Sequence, residues 1–198
     1  MTGVDGDFQS ATDMAAQELC TAPRDDHRNI PALTAVSPSS GPLAGGNTIT
    51  LTGADLLGTT AVRFGSTAAS AFTVVSDTQI TATAPPAAAG TVAVTVVTPG
   101  GISHAVAYTY LTAPTVTNLS PNQGPTTGGN TVTVTGANLA QTTSVLFGAT
   151  PAACTVISNT QIVATAPAGA AGPTNLTVTT PGGTSPAAVY TRVSPPAI

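Results

Sequence analysis

Two stretches of the chain alternate polar and apolar residues one by one: Thr48-Ile49-Thr50-Leu51-Thr52 and Thr131-Val132-Thr133-Val134-Thr135. Successive side chains of a strand point to opposite faces, so this pattern predicts half-buried strands with Ile, Leu and Val inward and Thr in water. Thr91–Val97 predicts another, with Val92, Val94 and Val96 on one face. Pro99-Gly100-Gly101 then reads as a turn into a last strand ending near Tyr108. Beyond residue 30 no segment holds a 3.6-residue period long enough for a helix. Strands every 8–12 residues or so, punctuated by Gly and Pro, predict an antiparallel sandwich rather than a parallel sheet.

The pattern occurs twice. Residues 37–65, SPSSGPLAGGNTITLTGADLLGTTAVRFG, return as SPNQGPTTGGNTVTVTGANLAQTTSVLFG at 120–148. TVVSDTQITATAP at 73–85 returns as TVISNTQIVATAP at 155–167, and Tyr108 returns as Tyr190. A period of about 80 residues is too long for solenoid repeats of roughly 20–50, so it marks a duplicated domain. The expected organisation is an N-terminal arm over residues 1–30, a first domain over 31–113 and a second over 114–198. The joint Tyr110-Leu111-Thr112-Ala113-Pro114 is too short for a flexible tether, which predicts two domains in a short rod.

The phrase SP-x-x-GP-x-x-GGNT, followed by alternating strands, V-x-FG and TPGG, resembles the IPT/TIG family of immunoglobulin-like domains. Both copies carry it in register, and only the arm lies outside the resemblance. It implies an all-β fold: two tandem immunoglobulin-like (early-set) β-sandwiches preceded by a short N-terminal arm. Such domains occur in plexin-type receptors, bacterial surface proteins, glycan-degrading enzymes and Rel-type transcription factors. Family membership thus implies a binding or spacer role and no chemistry of its own.

Charge sharpens this picture. Asp5, Asp7, Asp13, Glu18, Arg24, Asp25, Asp26 and Arg28 all lie in the arm, and beyond it only Asp55, Arg63, Asp77 and Arg192 remain. A formal net charge of −4 with four scattered Arg excludes nucleic-acid binding, which needs cations clustered on one face. No apolar run is long enough to insert in a membrane, and the Met1 end has no recognisable signal peptide.

Candidate chemistry is sparse. Gly41–Thr48 and Gly124–Thr131 approach the phosphate-loop pattern, but Asn47 and Asn130 stand where its Lys belongs and a strand follows. The glycines are therefore expected to be turn residues with positive φ. A hydrolase needs paired carboxylates or a nucleophile beside a base. Beyond the arm only Asp55, Asp77 and His104 are on offer, and they become Asn138, Asn159 and Pro186 in the second copy. No catalytic residue, cofactor or metal site is expected. Asp5-Gly6-Asp7 opens like a calcium loop, but Gln9 and Ser10 break the pattern. His27 and His104 have no partner at zinc-ligand spacing.

Cys154 reads either as a small buried apolar residue or as half of a disulfide with Cys20, tying the arm to a domain. Ser10 and Asp13 form a capping-box pattern that predicts a docking helix carrying Met14, Ala15 and Leu19, closed by Pro23. Tyr110, replaced by Arg192 in the second copy, is expected to be the exposed aromatic available for ligand contact. Three roles stay open. One is a structural rod in an extracellular or virion-like assembly, docked by the arm to protein partners or to copies of itself. The second is an adhesin or accessory module that binds a surface glycan. The third is a cytoplasmic adaptor.

Overall fold

The computed structural model describes residues 29–196. Every regular element among them is a strand. The first domain contains β1 (Ala32–Ser37), β2 (Ser40–Pro42), β3 (Thr48–Ala54), β4 (Ala61–Phe64), β5 (Thr67–Ala68), β6 (Ala71–Ser76), β7 (Gln79–Thr83), β8 (Gly90–Thr98), β9 (Gly101–Ile102) and β10 (Val106–Leu111). The second repeats them as β11 (Thr115–Ser120), β12 (Gln123–Pro125), β13 (Thr131–Ala137), β14 (Ser144–Phe147), β15 (Thr150–Pro151), β16 (Cys154–Ser158), β17 (Gln161–Thr165), β18 (Gly172–Thr180), β19 (Gly183–Thr184) and β20 (Ala188–Val193).

Each domain is a two-sheet sandwich. In the first, β1-β3-β7-β6 face β2-β10-β8-β4-β5, with β9 added to β8; the second has the same order. The alternation does what it predicts: Ile49 and Leu51 of β3 are fully buried, as are Val132 and Val134 of β13. Val94 and Val96 close the opposite wall, and Phe64 meets Tyr108 edge to face with ring centroids 5.4 Å apart. Phe147 and Tyr190 repeat the contact at 5.1 Å. The two cores are separate clusters, one per domain.

The repeated polar phrases hold the sandwich corners. After the cis Ser37–Pro38 bond the chain passes from β1 to β2 in the other sheet. Gly45 and Gly46 then adopt φ of 65° and 82°, and Gly46 N–H donates to the Ala84 carbonyl at 2.9 Å. These are turn glycines entering β3, as the sequence predicts. The Asn47 amide donates to the Tyr108 hydroxyl at 2.7 Å, joining that turn to β10. Tyr190 donates to Asn130 Oδ1 at 3.0 Å in the second domain. Gly41 and Gly124 pass directly beneath these pairs, where a Cβ would overlap the tyrosine hydroxyl.

The TPGG phrase is equally specific. Thr98 Oγ1 accepts from Gly100 N–H at 3.2 Å, and buried Ser103 accepts from Val96 N–H at 2.9 Å while donating to the His104 carbonyl. Thr180 and Ser185 repeat these bonds.

Replacing Gly41 or Gly124 by Ala is expected to destabilise its domain by about 3 kcal/mol, through overpacking and the loss of the hydrogen-bonded pair. Gly46→Ala, at a positive φ but facing open space, should cost only about 1–2 kcal/mol. Urea unfolding of the three variants checks this; equal losses would contradict the steric reading.

Candidate interaction surfaces

The sequence-predicted ligand contact is corrected by the fold. Tyr110 is 1% exposed. Side chains two apart on a strand share a face, so Tyr110 follows Tyr108 into the core of β10, and its hydroxyl donates to the Pro85 carbonyl at 2.7 Å. Arg192 occupies the same position on β20 and is 7% exposed. Its Nε donates to the Pro167 carbonyl, the equivalent acceptor, at 3.2 Å. The Tyr–Arg exchange suggested exposure because Arg is usually a surface residue. Here its apolar stem lies in the tyrosine's slot.

Cys154 is exposed on the edge strand β16, so its reading as a small buried residue is also corrected. Its counterpart Phe72 packs partly against the first core. Cys20, His27 and the helix positions Met14, Ala15 and Leu19 lie outside the described residues. His104 is exposed. Asp77 Oδ1 accepts from Leu57 N–H at 3.4 Å, and Asn159 does the same for Ala140. Asp55 and Asn138 both sit at positive φ, 55° and 58°. These positions are turn geometry, at which Asp and Asn exchange readily. No group of three or more His, Cys, Asp or Glu converges among the described residues.

Of the six aromatic residues described, five are buried and Phe72 is partly so, which leaves no exposed stacking platform. Three other surfaces are presented, and the sequence signalled them only indirectly. The outer face of the β1-β3-β7-β6 sheet carries a threonine-lined hollow of about 220 Å³ bounded by Thr48, Thr73, Thr81 and Thr83. Edge strands β6 and β16 expose Val75 and Ile157 and carry no charge. The third surface is the entry end of each domain. In the second domain it receives the linker: Asn138 Nδ2 donates to the Ala113 carbonyl at 3.3 Å, Gly182 packs on the Thr112 carbonyl, and a cavity of about 130 Å³ lies between Leu111, Thr112, Asn138 and Asn159. In the first domain Asn29 donates to Asp55 at 3.3 Å, and Ile30 lies beside Gly101 as Ala113 lies beside Gly183.

Two sandwiches joined end to end, with polar strand faces and no assembled reactive group among the described residues, define a tandem immunoglobulin-like interaction module. The sequence profile of the IPT/TIG domain matches residues 31–110 and again 114–192, and the chain belongs to that family. Among solved structures it is similar to the plexin A4 extracellular region. One such structure, of domains 1 to 10, gives 23% identity and a TM-score of 0.56 over 83% of this chain and 16% of that one. Another, with domains 1 to 8, gives 23% and 0.52 over 82% and 18%. The chain therefore spans less than a fifth of either plexin region, and the likeness is one of fold. SGBP-B from a complex xyloglucan utilization locus in Bacteroides uniformis matches at 22% identity over 78% of this chain and 47% of that one, with a TM-score of 0.37. No curated protein matches. No helix among the described residues is long and apolar enough to cross a membrane.

Burial, with the neighbouring Tyr108 adding to it, pushes the Tyr110 phenol from its ordinary 10.0 up to about 12. Its proton is thus held more tightly in the folded chain than in the unfolded one. The associated stability is complete below about pH 10 and is lost as pH rises towards about 12. Tyr110→Phe leaves the Pro85 carbonyl without its donor and should cost about 1–2 kcal/mol at neutral pH. The wild type's advantage over this variant should shrink from about pH 10 upward, as measured by thermal unfolding against pH. A constant difference would contradict the burial of a neutral phenol.

Proposed function

We propose that the chain is a non-catalytic structural subunit, presenting its two immunoglobulin-like domains as a short rod in a larger extracellular or virion-like assembly. The arm over residues 1–30 is its docking segment, and its partners are proteins. The observation that carries this reading is the joint. Thr112 packs against Gly182 and Ala113 accepts from Asn138 of the second domain, contacts that support a strut rather than a tether. A strut between two domains fixes the spacing of whatever each end binds. The composition fits the role as well, because uncharged edge strands lack the charges that usually deter strand-to-strand association.

The glycan-binding alternative draws less support. Sugar platforms usually stack on exposed aromatic rings, and Tyr110, the ring expected to serve, is enclosed in the core.

A chain beginning at Pro31 is expected to retain both folded domains but to lose incorporation into the parent particle or surface. Light scattering and recovery with the assembly measure the two properties. An arm-deleted chain that assembled as well as full length would overturn the docking role.

A further inference from the structure

Apart from Arg63, which is exposed on β4, the charges beyond the arm lie at the two outer ends of the tandem. Asp55 and Asp77 sit at the entry end of the first domain, where Asn29 and Leu57 N–H bond them. Arg192 sits at the exit end of the second domain, beside the loop from Pro167 to Gly172. The corresponding residues at the internal joint are neutral. Tyr110 replaces Arg192 there, and Asn138 and Asn159 replace Asp55 and Asp77. Duplication made these ends alike, yet those left outside carry opposite charge and those joined within the chain carry none.

From this we infer that copies of the chain associate head to tail, the Arg192 end of one seating on the Asp55–Asp77 end of the next. The internal joint is the template. At that joint Leu111 and Thr112 meet Asn138 and Asn159 around the small cavity. At the outer entry end, Asn29 and Ile30 already stand where Thr112 and Ala113 stand, with Ile30 beside Gly101. At the exit end Val193 holds the position that Leu111 holds at the joint, with Arg192 immediately before it.

Apolar exposure agrees with this. Val193 is 48% exposed, whereas its counterpart Leu111 lines the joint; Ile30, Leu57 and Ile102 are 63%, 47% and 62% exposed around the acceptor end. Arg192 is a largely buried cation, and the only carboxylates among the described residues are Asp55 and Asp77 of the other domain. A carboxylate from a neighbouring copy completes a charge-assisted pair that no carboxylate among the described residues of the same domain supplies. Because donor and acceptor ends differ, the contact is heterologous and propagates into rings or filaments.

The inference rests on the reading of the chain as an assembly subunit, but arm and ends are probed by different variants. The test is sedimentation velocity of the full chain, under reducing conditions, across protein concentration. Runs at about 0.01 and about 1 M NaCl change the Debye length from about 30 to about 3 Å. The variants carry the residues of the other domain at the same position, which that fold already accommodates: Arg192→Tyr, and Asp55→Asn with Asp77→Asn.

Wild type is expected to grow in mass with concentration at low salt and to dissociate at high salt. Each variant should associate at least about tenfold more weakly and lose its salt dependence. A wild type that stays monomeric throughout overturns the inference, as does association that neither the variants nor salt alters. Association abolished by removing residues 1–30 but unchanged in the variants would assign self-contact to the arm, and would overturn it too. Loss of incorporation on arm deletion, with end-to-end association intact, would leave both readings standing.

Discussion

A single polar contact per domain sets the geometry on which the rest depends. The hydroxyl of Tyr108 or Tyr190, on the last long strand of one sheet, is held by the side chain of Asn47 or Asn130 where the chain enters the opposite sheet. A net hydrogen bond of this kind contributes only about 0.5–1.5 kcal/mol. Its importance is positional. It requires a residue without a side chain at Gly41 or Gly124, fixes the positive-φ turn before β3 or β13, and places the tyrosine ring edge-on to Phe64 or Phe147. The corner thus ties the turn, the last long strand and the aromatic pair of the core together at the same place in both domains.

Much of this was legible in the sequence because it is local or repeated. Alternation in Thr48–Thr52 identified the inward face of β3, and Asn47 and Asn130 where a phosphate loop would need Lys marked the preceding glycines as turn residues. The Asp–Asn exchanges at 55/138 and 77/159 pointed to turn geometry, which positive φ and matching side-chain acceptors now explain. Tyr110 was misleading for a physical reason. A Tyr–Arg exchange looks like a surface position, whereas both residues here satisfy the same backbone carbonyl from within a slot. Cys154 misled in the opposite sense. It occupies the position of the partly buried Phe72, but a smaller side chain at a sheet edge stays exposed. The domain ends could not be read at all until folding brought together loops distant in sequence, around residues 29–30, 54–60, 76–79 and 98–105.

The scarcity of charge now has a spatial meaning. Threonine hydroxyls keep the sheet faces hydrated, and the carboxylates and the buried arginine are reserved for the outer ends. On the proposed reading, sides that carry only Arg63 among the described residues, between oppositely charged ends, suit a defined axial arrangement. The uncharged β6 and β16 lack the charges that protect many edges, so the proposed lateral contact with a partner meets little electrostatic opposition.

Each of these functional readings requires that the linker fix one domain against the other. Pulsed electron paramagnetic resonance measures this directly, with spin labels at Cys154 and at a cysteine replacing exposed His104, in a chain carrying Cys20→Ser. The strut predicts one narrow inter-label distance distribution, unchanged by removal of the arm. A broad distribution, of the kind given by two domains on a flexible tether, would contradict it.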